Sequence, residues 1–223
     1  MSTATMRAVR IDVPDVGTLD GDLAIVAPAG PLVVFAHGSG SSRRSPRNQA
    51  VARRLHRDGF GTLLLDLLTV QEDAIEQRGG RLRFDVDELA NRLVSAVEWL
   101  DRQPELRPET VGYFGASTGA AGALVAAARQ GDRIGAVVSR GGRPDLAGEL
   151  LPLVSAPTLL IVGGNDPQVR EMNEAAYVDL HGDKRLEVVP GATHLFAEPG
   201  TLERVADLAA DWFREHLTPR RAA

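Results

Sequence analysis

Residues 110–130 read TVGYFGASTGAAGALVAAARQ. The opening residues have the apolar and aromatic character of a buried strand, and the closing ones form a small, apolar run of helical length. Ser117 sits at the junction, with Gly115 and Gly119 two positions away on either side. A chain that passes from strand to helix over so few residues forces the junction residue into strained backbone angles, and only small neighbours avoid colliding with strand or helix. Two readings fit this stretch. It is either a crowded crossing that admits only small side chains, or a turn that presents a nucleophile, and the second reading needs partners elsewhere.

Outward from this stretch the same alternation repeats. MRAVRIDV and LDGDLAIVA, separated by a turn region around Gly17 and Gly21, predict an opening antiparallel pair. LVVFAH, residues 32–37, is a continuous apolar run of the kind buried on both faces of a parallel sheet. Further strand candidates are GTLLLD ending at Asp66, TVGYFG ending at Gly115, IGAVVS ending at Ser139, PTLLIVGG ending at Gly164 and RLEVVP ending at Pro190. Helical spacing over residues 46–57, 85–102, 117–130, 145–154, 168–180 and 202–216 fills the gaps. The pattern predicts an α/β fold, a mostly parallel sheet with helices on both faces. With 223 residues and neither a repeat nor a linker, a single domain over 1–223 is expected. Residues 69–83, TVQEDAIEQRGGRLR, read as an irregular loop that borders the crevice at the carboxyl ends of the strands.

Composition narrows the chemistry. There is no cysteine, which removes disulfides, thiolate nucleophiles and cysteine metal sites. A net charge of −5 gives nucleic acid or an anionic membrane no general attraction. No apolar run has the length of a membrane span or a signal peptide, so a soluble cytoplasmic protein is expected, with neither nucleic acid nor membrane as a partner.

A serine hydroxyl needs a base within hydrogen-bond reach and a third group to hold that base. Of the five histidines, His194 in GATHLF follows the last strand at the edge where Ser117 emerges. Asp166 in VGGNDPQV follows the strand before it, where its carboxylate can orient His194 or, in the plainer reading, cap the next helix beside Pro167. The chain order Ser117, Asp166, His194 is that of serine, acid and histidine on successive strand ends. Acyl transfer also needs N–H donors for the developing oxyanion. The backbone amide of Thr118 and that of Ser39, in the loop HGSGSS, are the expected pair.

On HGSG, GASTG, GGND and GATH at successive strand ends, the chain resembles an α/β-hydrolase, a small, lid-poor member similar to the dienelactone hydrolase group and its esterase relatives. The resemblance runs from Met6 to about Leu217. It implies an eight-stranded sheet and hydrolysis of an ester or related acyl bond of a small-molecule substrate, with no cofactor and no metal. Dienelactone hydrolases proper use a cysteine nucleophile, and Ser117 in that place turns the expected substrate away from dienelactone itself. Thioesters and lactones stay open beside esters, and a cofactor-free perhydrolase or a non-catalytic binding protein on the same fold are the alternatives. GSGSSR followed by Asp66 imitates a dinucleotide-binding loop, but Arg43 stands at its third glycine position and Pro46 follows.

Residues 140–156 leave no room for a cap domain, so small or exposed acyl substrates are expected. Arginines crowd the loops: Arg43, Arg44 and Arg47, then Arg78, Arg81 and Arg83, then Arg140 and Arg143. They are either solvated surface or recognition of a substrate carboxylate or phosphate. Arg43, Arg78 and Arg143 are the candidates for that role.

Overall fold

The computed structural model describes residues 4–27, 30–106, 108 and 110–217; the ends of the domain expected over 1–223 lie outside them. Eight strands form one sheet in the order β1-β2-β4-β3-β5-β6-β7-β8. The strands are β1 (Thr5–Val13), β2 (Gly17–Ile25), β3 (Leu32–Ala36), β4 (Gly61–Leu65), β5 (Val111–Ala116), β6 (Ile134–Arg140), β7 (Thr158–Gly163) and β8 (Lys184–Val189). β1 and β2 make the expected antiparallel pair, β2 runs antiparallel to β4, and all pairings from β4 through β8 are parallel.

The helices are α1 (Pro46–Arg57), α2 (Val70–Glu76), α3 (Val86–Asp101), α4 (Thr118–Gln130), α5 (Pro167–Asp179) and α6 (Thr201–Leu217). Because successive strand side chains point to opposite faces, the sheet divides two apolar layers. Val34, Leu63, Tyr113, Val137 and Leu160 meet Leu89, Leu93 and Leu124 of α3 and α4 on one face. Val33, Phe35, Phe114, Val138 and Ile161 meet Val51, Leu55, Trp212 and Phe213 of α1 and α6 on the other. Every residue of β3, β4, β5 and β7 is buried, as their unbroken apolar runs require.

Two segments differ from their sequence reading. Residues 69–83 contain α2, opened by a capping box in which the Thr69 hydroxyl accepts from Glu72 N–H while the Glu72 carboxylate accepts from Thr69 N–H. In place of a helix over 145–154 the chain makes 3-10 turns over Pro144–Leu153, because Gly148 adopts φ 51° and Pro152 supplies no N–H. Among the described residues no helix is long and apolar enough to cross a membrane.

β3 pairs with β4 on one side and β5 on the other, so the chain's order reverses around it. In open α/β sheets the crevice beyond the carboxyl ends at such a point receives the ligand. The loops after β3 and β5 carry HGSG and Ser117.

Candidate active site

Ser117 has φ 52° and ψ −123°, a left-handed backbone rarely tolerated by a side-chain-bearing residue. The turn is held on both sides: Ser117 N–H donates to the Arg140 carbonyl at 3.3 Å, and the Ser117 carbonyl accepts from Ala120 N–H at 3.1 Å and Arg143 N–H at 3.2 Å. The flanking glycines answer to contact distances. A Cβ on Gly115 would lie 2.4 Å from Ala120 Cα, and one on Gly119 would lie 2.3 Å from the His37 carbonyl oxygen. Gly122 serves a different contact, since a Cβ there would meet Leu89 of α3 at 3.1 Å. The small residues therefore let α4 approach both the elbow and its neighbouring helix.

His194 Nδ1 lies 2.8 Å from Asp166 Oδ2, with the carboxylate mostly buried and the ring partly open to solvent. Asp166 occupies the N-cap position of α5, yet its side chain makes no capping hydrogen bond. The carboxylate is turned toward the histidine, which fixes the ring with Nδ1–H donating and Nε2 free to take a proton. Gly141 connects this pair to the elbow. Its Cα faces the His194 ring so closely that a Cβ would sit 3.5 Å from the ring, and the residue before it receives the Ser117 N–H. No hydrogen bond joins the Ser117 hydroxyl to His194 among the described residues; catalytic hydrogen bonds commonly close only around a substrate.

The loop after β3 lies against Ser117, since a Cβ on Gly38 would come 3.1 Å from Ser117 Cβ. His37, which sequence reasoning passed over, organises this loop. Its Nδ1 lies 2.9 Å from the Gly38 carbonyl and its Nε2 accepts from Leu67 N–H at 3.0 Å, so the ring is neutral and Nδ1–H is the donor. Burial pushes the His37 imidazole below its ordinary value, outweighing the Gly38 carbonyl and Asp66, which act the other way. The Gly38 carbonyl and the Ser39 N–H belong to one peptide plane, so His37 aims the Ser39 amide. Arg83 Nη1 donates to the Ser39 carbonyl at 2.8 Å and is itself held by the buried Glu76 carboxylate at 2.9 Å. Thr118 opens α4, where the first amides have no partner within the helix.

The remaining candidates are arginines. Arg43 donates through its backbone to Asp66 Oδ1 at 2.6 Å, pairs with Asp66 Oδ2 through its guanidinium, and lies within 3.7 Å of Asp20 and 3.6 Å of Asp22. Asp66 is thus the partner of Arg43. Arg143 forks onto the carboxylate of Asp145 at 2.7 and 2.8 Å. Arg78 is exposed on the turn after α2. A cleft of about 1140 Å³ runs from Gly38 and Ser39 across to Thr69, Gln77 and Arg83; Ser117 and His194 do not line it. No group of three or more metal-ligating side chains stands together among the described residues. The geometry gathers a serine at positive φ, a paired histidine and carboxylate, and the backbone of the loop after β3 at the carboxyl edge of the sheet.

The family model described as the dienelactone hydrolase family matches residues 23–217. The chain is 53% identical to a dienelactone hydrolase from Anabaena variabilis whose crystal structure it matches with a TM-score of 0.93, over 96% of this chain and 99% of that one. The Est1E structure from Butyrivibrio proteoclasticus shares the fold at a TM-score of 0.77 and 18% identity, covering 93% of this chain and 98% of its own. A Mycobacterium tuberculosis protein provisionally named phosphoribosyl transferase is 56% identical over 197 residues, 88% of this chain. That stretch is 44% of the mycobacterial protein, so the chain spans less than half the length of this curated relative.

Proposed function

The chain belongs to the dienelactone hydrolase family, and from that premise we propose that it is a serine hydrolase cleaving ester bonds of small acyl substrates through Ser117, His194 and Asp166. One observation carries the reading: Asp166, seated where a helix cap is expected, gives its carboxylate to His194 Nδ1 beside a strained Ser117. A carboxylate that only capped its helix would bond to the backbone of α5 instead.

In the proposed reaction the Ser117 oxygen attacks the acyl carbonyl while His194 Nε2 takes its proton. Asp166 holds the ring and stabilises the imidazolium that forms. The carbonyl oxygen, now negative, is received by the amides of Ser39 and Thr118. Collapse expels the alcohol, which leaves with the proton from His194, and the acyl group stays on Ser117. Water then attacks this acyl-enzyme with His194 again as base, releasing the acid and restoring the serine. Thioesters and lactones follow the same steps. The family's name carries a cysteine chemistry that Ser117 replaces, so the proposed substrates are small esters at large, dienelactone apart. The phosphoribosyl transferase name belongs to a relative more than half of which lies outside the match, and it contributes nothing to this reading.

Hydrolysis of p-nitrophenyl acetate tests the proposal. Ser117→Ala and His194→Ala should each lower kcat by ~10⁴-fold or more, and Asp166→Asn by about 10⁴-fold. Undiminished turnover in Ser117→Ala would remove the reading.

A further inference from the structure

The helix that begins at Asp166 carries a second buried polar side chain, for which the proposed reaction has no task. Asn173 is fully buried on α5, about two turns past Asp166 and on the same side of the helix. Asparagine is a weak helix former, and Asn173 Oδ1 is buried with no hydrogen-bond partner, so this residue costs α5 stability. Its amide nitrogen is engaged twice. Nδ2 donates to the Val169 carbonyl at 2.8 Å within α5 and to the Gly142 carbonyl at 2.9 Å in the loop after β6. The bond to Val169 locks the side chain along its own helix, and the second N–H is left aimed at the loop.

The Gly142 carbonyl shares a peptide plane with the Arg143 N–H, and that N–H donates to the Ser117 carbonyl at 3.2 Å. The Ser117 carbonyl shares the next plane with the Thr118 N–H. Two rigid planes therefore run in series from Asn173 to Thr118. The loop between them is tightly seated: a Cβ on Gly142 would lie 2.0 Å from Ser139 Oγ and 2.7 Å from Ala120 Cβ, and the Gly141 N–H is held by the Ile161 carbonyl at 2.8 Å. Ser117 at φ 52° needs such holds, because a strained backbone persists only where its surroundings over-determine it. α5 thus sets Asp166 against His194 at its start and grips the loop beneath Ser117 two turns on.

We propose that Asn173 is a positioning residue for oxyanion stabilisation: through the 142–143 peptide it fixes the Ser117 carbonyl and so aims the Thr118 amide at the developing negative charge. This deepens the serine-hydrolase reading and rests on it. Asn173 is the counterpart of His37, which aims the Ser39 amide through the 38–39 peptide. Each of the two proposed donors is then set by a buried side chain from a different part of the fold.

Asn173→Asp keeps the side chain's shape but sets a carboxylate oxygen against two carbonyls. Asn173→Ala removes the donor without adding charge, and it serves if the first variant does not fold. With p-nitrophenyl acetate each should lose roughly 10- to 100-fold in kcat while KM stays within about twofold, the mark of a misaimed donor used only in the transition state. Affinity for a trifluoromethyl ketone, whose adduct with Ser117 carries the same oxyanion, should fall by the same factor as kcat. Ala176→Gly loosens α5 one turn further on without touching the 142–143 peptide, so it should keep the wild-type kcat. Hydrogen exchange of the Arg143 amide should quicken in both Asn173 variants and stay at its wild-type rate in Ala176→Gly. Wild-type kcat in Asn173→Ala, a loss confined to KM, or an equal loss of kcat in Ala176→Gly overturns the proposal. Exchange keeps the two possible failures apart: turnover retained in Ser117→Ala removes the hydrolase reading, whereas unchanged Arg143 exchange in the Asn173 variants removes the hold on the turn itself.

Discussion

A neutral His37 donates through one ring nitrogen and accepts through the other, and this single residue ties loop geometry to pH. Protonation would turn Nε2 into a donor facing the Leu67 N–H, so the folded chain resists the charge that the unfolded chain accepts. The folded value lies below the ordinary one, so stability is fully present above about pH 6.5 and falls as the pH drops from there toward the folded value. Urea unfolding followed from about pH 7 downward should show this slope in the wild type and lose part of it in His37→Asn. Equal slopes in the two proteins would contradict the assignment. The same variant frees the Gly38 peptide plane and should lower kcat by roughly 10- to 100-fold, the usual cost of a misaimed catalytic group. The meeting of Asp166 with His194 was legible in the sequence because both stand in the loops that leave adjacent strands, β7 and β8. His37 was not, since its role comes from Leu67, a residue brought to it only by the pairing of β3 with β4.

Elements were read well where periodicity was strong. α1 has the bounds that the sequence pattern indicates, and α4 begins one residue later than expected, with Ser117 left outside as the strained junction. α2 escaped because Val70 and Ile75 are exposed and give no apolar face; its signal was the Thr69–Glu72 capping box alone. Thr69→Ala should cost α2 about 1 kcal/mol, visible as faster hydrogen exchange of its amides, with β5 and β7 unchanged. The elbow tolerates less. Gly119→Ala presses a Cβ onto the His37 carbonyl, a backbone atom that cannot swing aside, and should destabilise the fold by roughly 1–3 kcal/mol. A denaturant midpoint equal to wild type would show that α4 can shift away from β3.

Across the whole molecule the fold class, the sheet's eight strands and the two helical layers followed from the alternation of buried runs and helical spacing, because that pattern reports burial directly. The arginines were different: a guanidinium's partner is set by tertiary neighbours, so sequence could not separate Arg43, neutralised by Asp66, from Arg140, left unpaired. Trp212 shows how the layers are joined, buried on α6 with its indole N–H 3.3 Å from the Pro157 carbonyl just before β7. Trp212→Ala should cost about 3–5 kcal/mol and lower Tm by roughly 10 °C in a scan of the intact protein. The account's central claim is that the loops leaving β5, β7 and β8 bring a catalytic centre together, with Ser117 proposed as its nucleophile. Labelling with a fluorophosphonate probe tests this most directly. A Ser117 activated by His194 predicts strong labelling of the wild type and loss of the label in Ser117→Ala, whereas equal labelling of both proteins, or of neither, would contradict it.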